Sequence, residues 1–324
     1  MSRTLSFSSL PSLLTATLGL ASALALGACS SSSRTSPFAE GDGAPSPTPG
    51  GGSDSGPLFP TGDGATPPPT PGGCAEEAKL VYVVSDGNEL YSFKPDALSF
   101  TRVGRLSCAA GGLATPNSMA VDRSGTAWVN YSDGTLFKVS TKDASCQGTS
   151  FQPRQSNFVK FGMAFSSNAA GSSEETLYVA GLADPLFGGR AGLARIDTGT
   201  MKLSFIGDYS GNLRGQGAEL TGTGDARLFG FYTTDPATLA QLDKGTAATS
   251  NDRSLTGVRT GEAWAFSFWG GDFWFYTAQA GQESRVTRLK SATDGSISVV
   301  MQAVGGFRIV GAGVSTCAPT TPPR

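Results

Sequence analysis

Residues 80–93 read LVYVVSDGNELYSF, and residues 126–139 read TAWVNYSDGTLFKV. In each, a run of β-branched and aromatic residues meets Ser-Asp-Gly, and a second such run follows. Asp-Gly supplies the positive φ that a tight hairpin turn needs, so each stretch reads as two antiparallel strands. Three further pairs align with them: TLYVA (176–180) with LARID (193–197), RLFGF (227–231) with LAQLD (239–243), and DFWFY (272–276) with VTRLK (286–290). No long helical periodicity interrupts this pattern, so the region is all-β.

A further run precedes four of the pairs: SMAVD at 118, GMAFS at 162, GAELT at 217 and AWAFS at 263. A more variable run follows them, as in KLSFIGDYS (202–210) and SISVVMQAV (296–304). Four strands recurring roughly every 45 to 55 residues resemble the blades of a β-propeller. The leading run then supplies the innermost strand, and its small residues suit strands that converge on a crowded axis. Five pairs but only four leading runs leave one inner strand missing. GAGVS (311–315) matches the leading pattern and has nothing after it. If it supplies the inner strand of the first blade, a five-bladed propeller closes between the two ends of the chain. A β-sandwich fits the strand content, but neither the repeat nor the orphan C-terminal strand.

The chain holds five cysteines. Cys74, Cys108, Cys146 and Cys317 lie in the repeat region, and three disulfide pairings among them are formally open. The propeller register puts Cys74 just before the first blade's second strand and Cys317 just after its inner strand. Those strands are antiparallel neighbours, so a Cys74–Cys317 bond would fasten the ring. Cys108 and Cys146 fall at matching outer positions of blades one and two, and could join them.

Cys29 stands apart. One basic residue, Arg3, precedes an apolar stretch from Leu13 to Leu26, the layout of an export signal. The stretch ends in Leu26-Gly27-Ala28-Cys29, which resembles the lipobox of bacterial lipoproteins. That resemblance implies cleavage before Cys29, acylation of its sulfur and amine, and anchoring in a membrane. Ser30 rather than Asp at the next position implies the outer membrane, with the domain periplasmic or surface-exposed. The sequence is similar to envelope lipoproteins of Gram-negative bacteria that carry propeller-like domains. The expected organisation is a signal peptide over 1–28, a lipidated tether over 29–73 and a propeller over 74–324. The tether is almost entirely Ser, Gly, Pro, Thr, Asp and Ala, too polar to offset its ordering entropy. As a flexible coil its roughly 44 residues would span roughly 35–40 Å.

The sequence contains no histidine, which excludes Ser-His-Asp and Cys-His catalysis and any His-based metal centre. No metal ion or other cofactor is expected. Lys and Arg number 24 against 26 Asp and Glu, scattered along the chain, so a nucleic-acid groove is not expected. The expected partners are the membrane, through the anchor, and an envelope protein or glycan bound by a monomeric domain.

Glu219 breaks the small-residue pattern of the inner strands, where the alignment gives Ala120, Ala164, Ala265 and Gly313 to the other blades. A carboxylate there must be paired or solvated, by channel water or by an arginine such as Arg214 or Arg227. It is the leading binding residue and a weak catalytic candidate, for a histidine-free hydrolase or lyase acting on carbohydrate through inner-strand carboxylates. Asp122, Asp225 and Glu262 lie near the ends of the same strands, the first two reading as turn residues. The insertion LADPLFGGRAG (182–192) offers Phe187 and Arg190 as contact residues. In the aromatic segment AWAFSFWGGDFWFYT (263–277), most rings read as core, with Trp269 beside Gly270-Gly271 the exposed exception.

Overall fold

A computed structural model describes residues 73–183 and 188–323. The lipobox with Cys29, the signal and nearly all of the tether lie outside the described residues, as does Phe187.

Among the described residues, twenty strands form five antiparallel four-stranded sheets, and the molecule is a five-bladed β-propeller. The inner strands are Ile309–Val314 in blade one, Pro116–Val121 in blade two, Phe161–Ser167 in blade three, Ala218–Gly222 in blade four and Ala263–Trp269 in blade five. In every blade the inner and second strands are buried almost throughout, whereas outer strands such as Ser99–Arg105 are mostly exposed. That gradient explains the sequence pattern. Strands covered on both faces become nearly continuous apolar runs, and the alternation that marks a half-exposed strand returns only at the periphery.

The ring is held by five apolar seams, one between each pair of neighbouring blades. Phe161, Met163 and Leu177 meet Trp128 between blades two and three, for example, and Phe266, Phe273 and Phe275 meet Phe229 and Phe231 between blades four and five. The last seam joins blade five to blade one, where Trp274 and Tyr276 pack on Val81, Phe93 and the C-terminal strand. That strand pairs antiparallel with Val81–Ser85. The ring therefore closes between the two ends of the domain.

Near the axis the inner strands approach so closely that side chains become an obstacle. A Cβ on Gly162 would run into the backbone of Ala218 and Glu219, and one on Gly311 would meet the backbone of Ser118 and Met119. Glycine here answers to crowding between strands.

Both disulfides follow the register read from the sequence. Cys74 bonds Cys317 across 243 residues, and Cys108 bonds Cys146 across 38, joining blades one and two. The first locks the closure, and it sits at the end of the ring where inner strands finish and second strands begin. We call this end the base and the opposite end the mouth. In the chain-entropy picture the long loop is worth roughly 5 kcal/mol and the short one roughly 4. Replacing Cys74 and Cys317 by serine should therefore lower the unfolding free energy more than replacing Cys108 and Cys146, as measured by denaturant titration under non-reducing conditions.

Candidate functional site

The free edge of each inner strand faces the axis, so its backbone N–H and C=O groups need partners from side chains. Several supply them at the mouth. The Asn117 amide donates to Asn130 Oδ1 and to the Phe161 carbonyl, both at 3.3 Å. Ser118 Oγ donates to Glu219 Oε2 at 2.7 Å, and the Met163 backbone N–H donates to the same carboxyl. Ser118, Met163 and Glu219 belong to blades two, three and four. Glu219 thus reaches over the axis and ties three blades together.

Strand pairing fixes its level. Glu219 lies opposite Phe231, as Ser118 lies opposite Asn130, Gly162 opposite Ala180, Ala265 opposite Tyr276 and Gly311 opposite Val84. Its true counterparts are therefore Ser118, Gly162, Ala265 and Gly311, and three of the four residues aligned with it from sequence (Ala120, Ala164 and Gly313) sit two positions nearer the base. A slip of two residues keeps every side chain on its face, so the sequence pattern does not reveal it. At this level two glycines, a serine and an alanine leave the room that one glutamate fills.

Among the described residues, no arginine pairs with Glu219. Arg227 is spent on Asp225 of its own hairpin at 2.8 Å, and Arg214 is not a partner. Burial pushes the Glu219 carboxyl well above the usual carboxylate range, only partly opposed by the bonds from Ser118 and Met163. Burial thus favours the protonated form of this carboxyl.

Above Glu219 opens a cavity of about 260 Å³ to which all five blades contribute. Its charged lining is Asp86, Lys160, Glu262 and Arg308, together with Glu219. Arg308 holds two of these carboxylates at once, Asp86 at 2.8 Å and Glu262 at 3.1 Å. Trp264, Leu182 and Val310 supply apolar wall, and Thr115, Asn117 and Ser132 supply hydroxyl and amide groups.

Of the other residues singled out from sequence, Trp269, Arg190, Asp122 and Asp225 do not line this cavity. Trp269 is half-buried at the base, where its indole N–H donates to the Lys79 carbonyl at 2.9 Å. It lines a separate cavity of about 230 Å³ with Trp274, Pro95, Pro322 and Pro323. Glu219 and Trp269 are thus at opposite ends of the ring. Arg190 stacks over Phe205 at 3.4 Å from the ring centroid and faces Asp208 at 3.7 Å, an arrangement that ties its loop to blade three. Asp122 accepts from the Thr126 N–H and the Trp128 indole at the base, as a turn residue does. The base end of the axis is closed by Glu175, which accepts from the Arg123 N–H and the Thr316 hydroxyl, each at 2.8 Å.

Sequence reasoning missed Asp86, Arg308 and Trp264 at the mouth. Asp86 had a signal, since it is the Asp of the first Asp-Gly turn, and second-to-third-strand turns all lie at the mouth. Trp264 is the second residue of its inner strand, while Trp269 is the last; strand direction separates the two.

No family model matches this chain, and no curated protein matches it. Solved structures do. The chain is similar to the Dos1 propeller, with a TM-score of 0.39 at 11% identity over 70% of this chain and 57% of that one. It is similar to TolB from Acinetobacter baumannii, with a TM-score of 0.38 at 12% identity over 68% of this chain and 52% of that one. A gluconolactonase from Xanthomonas campestris gives a TM-score of 0.42 at 14% identity, over 68% of this chain and 70% of that one. The likeness is one of fold. The chain spans little more than half the length of the first two, and the assignment of five blades rests on its own strand topology.

The Glu219 carboxyl makes stability depend on pH. A carboxyl whose folded pKa is raised stabilises fully below its unfolded value, near 4.5, and that contribution is lost as pH rises through the folded value. Glu175 shifts in the same direction, again by burial, so the comparison must isolate Glu219. In Glu219→Gln, the melting temperature should gain on the wild type as pH is raised above about 4.5. Parallel melting curves for the two proteins from pH 4 to 9 would count against a buried neutral acid.

Proposed function

We propose that this chain is an envelope lipoprotein, anchored by acyl groups on Cys29, whose propeller binds an envelope protein or glycan at the channel mouth. The observation that carries the binding reading is the mouth cavity itself, a single concave, polar site to which all five blades contribute. Arg308, held between Asp86 and Glu262, fixes the positions of the rim charges before any ligand arrives. The chain reaches the domain at Cys74, beside the base.

A second reading has its own support. Glu219, a buried carboxyl whose protonated form burial favours, shares one cavity with the Arg308-paired carboxylates Asp86 and Glu262. Histidine-free acid–base hydrolysis or elimination on carbohydrate uses a pair of carboxyl groups in different environments, one acting as acid and one as base. Release of reducing ends from envelope polysaccharide by wild type and not by Glu219→Gln would favour it over binding alone.

Two measurements test the main reading. Metabolic labelling with radioactive palmitate should mark the wild type and not Cys29→Ala, which should also leave the membrane fraction. Immobilised wild-type protein should retain an envelope component that Arg308→Ala retains at least about tenfold less well, the loss of a single charge-assisted contact. Equal retention by both proteins would remove the mouth from the account.

A further inference from the structure

The mouth cavity is a dead end. Glu219 spans the axis beneath it, the inner strands pack backbone to backbone at Gly162 and Gly311, and Glu175, Arg123 and Thr316 close the base. A ligand must therefore enter and leave by the same opening. That geometry suits the end of a chain and not its middle, and about 260 Å³ lies just below the usual range for ligand pockets.

The lining also limits the ligand's charge. Among the described residues the lining sets two negative charges, Asp86 and Glu262, against two positive ones, Arg308 and Lys160, beside Glu219, whose protonated form burial favours. A charged ligand would find no net counter-charge and would have to displace the contacts of Arg308 with Asp86 and Glu262.

Hydrogen-bonding capacity remains for a neutral ligand. The Glu219 carboxyl, bonded to Ser118 and Met163, can accept from an incoming hydroxyl and, in its protonated form, donate to one. Asn117 spends its N–H groups on Asn130 and Phe161, which leaves its side-chain carbonyl oxygen as an acceptor. The Thr115 hydroxyl lies on the same lining. Beside these groups stands Trp264, half-buried, with Phe231 packed edge-on against it at 5.9 Å. A donor and acceptors next to an indole wall match a molecule with a rim of hydroxyls and an apolar face.

Resting on the mouth as the binding site, we infer that the cavity receives the terminal residue of a neutral glycan, with Trp264 against the sugar ring and Glu219 and Asn117 bonding its hydroxyls. The same lining would receive a loop of a partner protein less well, because only one ring's depth is on offer before Glu219.

The test uses the full-length protein in a detergent without a sugar headgroup. Four neutral disaccharides (cellobiose, maltose, lactose and N,N′-diacetylchitobiose) serve as probes, beside digalacturonic acid and deacetylated chitobiose as charged counterparts. Binding is read by saturation-transfer NMR and tryptophan fluorescence. At least one neutral disaccharide should bind, and the charged ones at least about tenfold more weakly. Trp264→Ala and Asn117→Ala should each weaken binding by about tenfold, and Trp264→Phe should restore most of the loss at 264. Because Trp264 also touches Phe231, Asn117→Ala serves as the variant that leaves the apolar seam intact. Lys202→Ala, on the outer strand of blade three, should change nothing. Tighter binding of a charged disaccharide, binding insensitive to both mouth variants, or no binding of any neutral probe overturns the inference. If no sugar binds while Arg308→Ala still loses the captured envelope component, the glycan inference falls and the mouth remains a partner site. If Arg308→Ala loses nothing either, both fall together.

Discussion

Each blade buries both faces of its inner strands, and that is the constraint from which the rest follows. A sheet flanked on one side only would leave an apolar face in water, so blades cannot simply stop. The chain meets this by sending its last strand, Ile309–Val314, back to pair with Val81–Ser85, the first strand of the domain. Trp274 and Tyr276 of blade five then find Phe93 and Val81 of blade one waiting for them. The Cys74–Cys317 bond holds the two chain ends where this pairing requires them.

Closure also creates the site. Five inner strands brought to one axis crowd out side chains, which is why glycine, alanine and serine occupy the level at which Glu219 stands alone as a large polar group. The crowding buries Glu219, which favours its protonated form, and among the described residues no arginine opposes that. The carboxyl that links three blades is therefore also the floor of the mouth cavity. On the proposed function, structural and binding roles fall on the same atoms, so a change at Glu219 would be felt in both.

The fold was legible in the sequence because its signals are local. Asp-Gly turns such as Asp86-Gly87 and Asp133-Gly134, apolar runs on either side and an unpaired C-terminal repeat together give blade number, closure and both disulfides. The site was only half legible. Glu219 announces itself by breaking a pattern, but its level and its partners depend on contacts between distant blades. Ser118 is 101 residues away, and the Asp86–Arg308 pair that shapes the rim spans 222. A strand's two-residue period conceals a two-residue slip, which is how Ala120 and Ala164 came to be aligned with Glu219. Trp269 stood out for its neighbouring glycines, yet those glycines mark a base hairpin, and the tryptophan at the mouth is Trp264.

On the proposed function, recognition happens at the mouth and nowhere else on the ring. Hydrogen–deuterium exchange of the full-length protein, with and without its bound envelope ligand, tests it directly. The account predicts slower exchange on binding at residues 115–117, 132–135, 160–162, 262–264 and 308–310, all around the mouth. Slower exchange instead around Trp269 and Pro322 at the base, or along the outer strand of blade three, would contradict it.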